Sequence, residues 1–230
     1  MDLSNHIFIN IETVTEFPDL NSLESSNKNA KDIWTDYALR NISKEESVCI
    51  FDEYPLYVNT GYRFPDFSKI ISVNIGFISS DILIIKTIIS EIEYEIVKKL
   101  NDFLISFTDQ QIICGYDISK FIGPFLSKRF LYNGFSIPKC LRNLQFDDIN
   151  LKINLNCQSS NIESELELLT NRMNFQVPHN IEMIKRSRFN NKFHNEKDIN
   201  YVKTYSENHL AQNVNLYLAF LGKERIYKFN

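Results

Sequence analysis

The run His6-Ile7-Phe8-Ile9-Asn10-Ile11-Glu12 constrains this chain more than any other feature. Its residue types favour a strand, and a strand turns alternate side chains to opposite faces. Ile7, Ile9 and Ile11 therefore share one face, with Phe8, Asn10 and Glu12 on the other. A polar pair, Asn10 and Glu12, sits side by side on a first strand that is otherwise apolar.

The rest of the chain supplies what such a strand would pair and pack with. Two further strands are expected at Lys69–Ile78 and Ile82–Ile89, joined by the turn residues Ser79-Ser80-Asp81. Ser90 then caps a helix from Glu91 to about Ser106, with Ile92, Ile96, Leu100, Phe103 and Leu104 on its apolar side. Gln111–Cys114 reads as a fourth strand ending at Gly115, and Ser119–Tyr132 as an amphipathic helix closed by Asn133-Gly134. A strand or loop around Phe146–Leu151 leads to a helix from about Glu163 to Met173, and a last long helix runs from about Asp198 to Leu221. Antiparallel strands followed by strand–helix units indicate an α/β or α+β domain.

Two stretches show no such periodicity. Residues 17–66 read as an insertion or irregular segment, with Trp34, Tyr37, Tyr54, Tyr57 and Tyr62 available to pack it on the core. Residues 179–198 read as a basic loop. With 230 residues, 43% apolar, the chain can bury a substantial core, and no linker divides it, so one domain over 1–230 is expected.

Net charge −4 argues against a uniformly basic protein that coats nucleic acid, although a local basic groove is allowed. Cys49, Cys114, Cys140 and Cys157 lie far apart, which indicates reduced thiols and not a disulfide framework or zinc site. The apolar run Ile82–Ile89 is too short to span a bilayer, and the N-terminus lacks a secretory pattern. A cytoplasmic protein without membrane partners is the expectation.

Several blocks together resemble a known family. Phe8-Ile9-Asn10-Ile11-Glu12-Thr13-Val14 resembles the first motif of DEDD-type 3′–5′ exonucleases. Phe64-Pro65-Asp66-Phe67-Ser68-Lys69-Ile70-Ile71-Ser72-Val73 is similar to the second strand and its lead-in. Ile113-Cys114-Gly115-Tyr116-Asp117-Ile118, followed by Phe121, Pro124, Phe125, Arg129 and Asn133-Gly134, looks like the second motif and its helix. Leu166–Thr170 matches a later helix, and Tyr205-Ser206-Glu207-Asn208-His209 stands where the family carries Tyr-x-x-x-Asp. The blocks span about His6 to Phe220. They resemble the predicted 3′–5′ exonuclease family related to the proofreading domain of family-B DNA polymerases. The resemblance implies an α/β, ribonuclease-H-like fold with a central mixed β-sheet flanked by α-helices.

It also implies a metal site that this sequence does not keep. The family holds two divalent ions with four carboxylates, and the ions activate water and stabilise the leaving oxygen. At the matching positions only Glu12 remains acidic. Asn10 keeps an oxygen without charge, Ile122 offers no ligand, and His209 is a poor ligand for Mg²⁺. Tyr205, which helps orient the attacking water in the family, is present but has nothing to orient. With Ile122 beside it, a buried Glu12 would need a hydrogen-bond partner, a role open to Asn10.

The expectation is therefore an exonuclease-like domain without an intact catalytic set and without a cofactor, acting as a non-catalytic nucleic-acid-binding or scaffold protein. Two alternatives stay open. A divergent active enzyme would use Mg²⁺ or Mn²⁺, with Glu12, Asp147 and His209 as a rebuilt single-metal site. A protein-interaction subunit would need neither metal nor nucleic acid. For single-stranded DNA or RNA, the candidate contacts are Lys185, Arg186, Arg188 and Lys192, with Phe189 or Phe193 stacking on bases. The bland reading of that segment is a solvated basic loop.

Overall fold

A computed structural model describes residues 3–27, 29–41, 53–108, 110–142, 146–149, 173, 175, 177–179, 181, 186–226 and 228–230. The first strand, β1 (His6–Thr15), is buried along its whole length. Short helices α1 (Leu20–Ser26), α2 (Ala30–Asn41) and α3 (Glu53–Thr60) follow, and then a single 3₁₀ turn, Gly61–Arg63. The hairpin β2 (Ser68–Ser79) and β3 (Ile82–Ile89) comes next. Its two-residue turn holds Ser80 and Asp81 at φ 49 and 64, the left-handed pair that suits the twist of a tight hairpin.

Helix α4 (Glu93–Ile105) leads to β4 (Ile112–Gly115), a π turn at Ile118–Ile122, α5 (Gly123–Tyr132), α6 (Lys139–Arg142) and β5 (Phe146–Asp148). Helices α7 (Arg186–His194) and α8 (Ile199–Phe220) and the short strand β6 (Lys228–Phe229) complete the described chain. The sheet order is β5-β4-β1-β2-β3-β6. Strand β2 is antiparallel to its neighbours β1 and β3, whereas β1–β4, β4–β5 and β3–β6 pair in parallel. The fold is α/β, a mixed six-stranded sheet flanked by helices, as the ribonuclease-H-like expectation required.

The alternation read from β1 decides which helix packs where. Ile7, Ile9 and Ile11 meet Ile96, Val97 and Leu100 of α4 and Phe125 and Leu126 of α5. Phe8, on the other face, meets Leu210, Val214 and Tyr217 of α8. Close approach of α8 uses the bare Cα of Gly76: a Cβ there would lie 3.1 Å from Leu210 Cδ2 and 3.4 Å from Phe8 Cβ. A buried ion pair staples the opposite layer. Arg129 Nε donates to both Glu93 oxygens at 2.8 and 3.0 Å, and Glu93 also accepts the Ile70 amide at 2.7 Å.

Three expectations need correction. Residues 17–66 are not irregular where they are described: α1–α3 close around the buried Trp34, with Tyr57 and Phe67 set edge-on at 5.2 and 5.0 Å. Their Asn, Ser and Asp content hides a core made by a few large rings. The basic loop is a helix over Arg186–His194, because Arg186, Phe189, Asn190 and Phe193 recur at helical spacing, and both phenylalanines are buried. The expected Ser119–Tyr132 helix opens as a π turn, in which Phe121 and Ile122 donate amides to the Asp117 carbonyl. Lys185, Cys49, Cys157, Leu166–Thr170 and, apart from Met173, the helix expected from Glu163 lie outside the described residues.

Candidate functional site

The polar pair of β1 lies beneath α8. Glu12 is fully buried, and Asn10 Nδ2 donates to its Oε1 at 3.0 Å. Register places Ser72 of β2 opposite Glu12 and Asn74 opposite Asn10, and Ser72 Oγ meets Ser206 Oγ of α8 at 3.0 Å. A bulge follows at once, since Thr13 pairs with Ile70 and Ile71 is left over. Such a bulge bends the strand beside the carboxylate and re-aims side chains there.

Two donors close on Glu12. His209 of α8 donates Nδ1–H to Oε1 at 2.7 Å, and Arg186, the first residue of α7, donates Nη1–H to Oε2 at 2.6 Å. The Arg186 guanidinium also lies 5.0 Å from the Tyr62 ring centre and 5.2 Å from that of Phe189. Burial pushes the Glu12 carboxyl up, but the charge of Arg186, the charge of His209 and their hydrogen bonds outweigh it. The pKa falls from its ordinary 4.5 to about 2. Glu12 is thus an ion whose acceptor sites are taken by protein donors.

The other residues singled out in the sequence fare differently. Ile122 is buried in the apolar cluster with Ile9, Ile11 and Phe125, where it supplies volume and no donor. Tyr205 is buried too, its ring 4.6 Å from Phe189 and 6.0 Å from His209. Glu207 turns away from His209 as its helical offset requires, and accepts from Thr87 Oγ1 at 2.6 Å.

Asp147 is not part of the Glu12 cluster. It accepts from Tyr217 Oη at 2.6 Å, near His6. His6 and Glu12 are six residues apart on one strand, about 20 Å, so the rebuilt site of Glu12, Asp147 and His209 does not assemble. Asp148 is also engaged, accepting the Ser119 amide at 2.8 Å at the mouth of the π turn.

The basic segment has equally specific work. Arg186 is held by Glu12, and Lys192 pairs with Glu196 at 2.6 Å and lies 3.7 Å from Asp198. Arg188 is exposed. Phe189 and Phe193 face Val14, Ile71 and Val202 inside the protein, so neither ring is placed to stack on a base. Sequence reasoning missed the Glu12–Arg186 pair, which joins residues 174 positions apart. The stripe of Arg186, Phe189 and Phe193 was the signal available for it.

Among the described residues, no helix is long and apolar enough to cross a membrane. No family profile matches the sequence, and no curated protein matches it either. Among solved structures, the chain is similar to the family B DNA polymerase from the hyperthermophilic archaeon Pyrobaculum calidifontis, with a TM-score of 0.56 and 12% identity over 94% of this chain. The match spans only 24% of that polymerase. At this identity the likeness shows the fold alone, a mixed sheet flanked by helices.

Proposed function

We propose that this chain is a catalytically silent member of the exonuclease fold, acting by binding and not by hydrolysis. The observation that carries the reading is the saturation of Glu12. Phosphodiester hydrolysis on this fold would need negative oxygen ligands converging on divalent ions. Here the one retained carboxylate is neutralised from within, by Arg186 and His209, and Ile122 adds a side chain with no ligand atom. A metal ion at Glu12 would have to displace a partly buried guanidinium at 2.6 Å and would meet its charge repulsion.

As to what it binds, the geometry favours a protein over single-stranded DNA or RNA. A strand-binding groove combines free cations with exposed rings. Helix α7 instead buries Phe189 and Phe193, ties Arg186 to Glu12 and pairs Lys192 with Glu196 at the surface. The scaffold alone does not select a task, so this choice rests on those side chains.

The test is a nuclease assay on single-stranded and recessed 3′ ends with Mg²⁺ and with Mn²⁺. The expected result is no nucleotide release above an EDTA control. Release that needs the metal and disappears in Glu12→Gln would overturn the reading. Binding to single-stranded DNA that weakens steeply with salt would return the preference to nucleic acid.

A further inference from the structure

At the opposite end of β1, three side chains of different chemistry meet beneath α8. His6 opens β1, Cys114 lies on β4 and Asp147 on β5, and all three are buried. Parallel pairing sets them in one row. Cys114 is opposite Asp147, and Phe8, on the same face as His6, is opposite Cys114. An imidazole nitrogen, the thiol sulfur and a carboxylate oxygen all lie within 4.8 Å of one another, with His6 Nε2 3.9 Å from Asp147 Oδ2. Tyr217 reaches down from α8 to the same carboxylate.

We propose that His6, Cys114 and Asp147 form a binding site for one zinc-class divalent cation. Donor chemistry sets the class: nitrogen, sulfur and oxygen together suit a borderline-soft ion, whereas Mg²⁺ takes oxygen ligands. Charge agrees, because a thiolate and a carboxylate with a neutral imidazole cancel a double positive charge. The filled site is then neutral, which a buried position requires. Distances agree as well. Tetrahedral zinc separates its N, S and O ligands by about 3.4–3.6 Å. The observed spread of up to 4.8 Å therefore needs a contraction of at most about 1.4 Å, within reach of side-chain rotation. The ligands stand on three adjacent strands whose ladders fix their spacing, and Tyr217 Oη, 2.6 Å from Asp147 Oδ2, is a further oxygen beside them. The bound ion ties β1, β4 and β5 together at a closed, structural site. Ligands this far apart in the sequence form no spacing motif, which is why the cysteine pattern argued against zinc. The proposal does not depend on the function proposed for the Glu12 end.

Titration of the full chain with cobalt(II), after EDTA treatment and removal of the chelator, tests it. One equivalent binds with a near-ultraviolet thiolate-to-cobalt band, and zinc displaces it. Cys114→Ala abolishes the band and lowers zinc affinity at least about tenfold, while His209→Gln at the Glu12 end keeps both. Wild-type protein that binds no cobalt, or binds it without the thiolate band, overturns the site whether or not the variants fold. So does a band that survives in Cys114→Ala or vanishes in His209→Gln.

Discussion

Replacing Arg186 by methionine removes the guanidinium, with its contacts over the Tyr62 and Phe189 rings, and leaves an unbranched apolar side chain in its place. Glu12 then faces its own desolvation with only Asn10 and His209 to offset it. The gap between the ordinary pKa of 4.5 and about 2 corresponds to about 3 kcal/mol of folding stability. Breaking one side of a buried ion pair costs about 3–5 kcal/mol by the same reasoning. The sign follows from the depressed folded-state value. Between pH 2 and 4.5 the unfolded chain holds a proton that the folded chain has released, so Glu12 stabilises above 4.5 and loses that contribution as pH falls towards 2. In Arg186→Met the folded-state pKa moves up and the pH dependence in this window flattens. Urea denaturation at a series of pH values reads the effect as a loss of about 3 kcal/mol at neutral pH that shrinks towards acid. The double variant Glu12→Gln, Arg186→Met should recover part of the loss, since no buried charge remains unpaired. A loss equal at pH 3 and pH 7, or no recovery in the double variant, would refute the argument.

Three other outcomes follow from the packing. Gly115→Ala puts a Cβ 2.8 Å from the Ile9 carbonyl oxygen at the centre of the sheet, and chemical denaturation should show a cost of about 1–3 kcal/mol. Trp34→Ala empties the middle of the α1–α3 cluster and should cost about 3–5 kcal/mol, with proteolysis appearing first within residues 17–66. Burial holds the His194 pKa down at about 4, although its ring N–H donates to the Thr15 carbonyl at 2.8 Å. The unfolded chain protonates first, so stability should fall by about 2 kcal/mol as pH drops from 6.5 to 4, allowing for partial solvent screening. His194→Gln should remove that slope, as thermal melts across the range would show.

How much of this was legible depended on whether the signal was local. The faces of β1, the β2–β3 hairpin and α8 are set by residues adjacent in sequence, and Asp198 does cap α8 by accepting the Tyr201 amide at 3.0 Å. Ser90 was legible in kind but displaced. It accepts the Ile92 amide, so the regular helix begins only at Glu93. The Trp34 cluster was hidden because its rings come from separate short helices with little apolar periodicity. At the Glu12 site the polar pair Asn10 and Glu12 was readable from the alternation of β1, but the Arg186 partner of Glu12 was not. A basic residue before an apolar pair reads as a surface segment until Glu12 is known to lie beneath it.

Helix α8 is fixed to the sheet by polar contacts at two separated levels, and that spacing explains its unusual composition. His209 reaches Glu12, and eight residues later Tyr217 reaches Asp147, about 12 Å further along the axis. Between them Leu210 and Val214 pack on the Phe8 side of the sheet. A slide of one turn would move Leu210 away from its close approach to Gly76. Such a slide would leave two buried carboxylates without their α8 donors at once. Burial together with the hydrogen bond to Asp147 pushes the Tyr217 phenol up, so it remains a donor throughout the physiological range. Buried polar pairs add little net stability over apolar ones, but they make the wrong register expensive. On this account the charge of Glu12, paired with Arg186 and His209, sets the position of two helices.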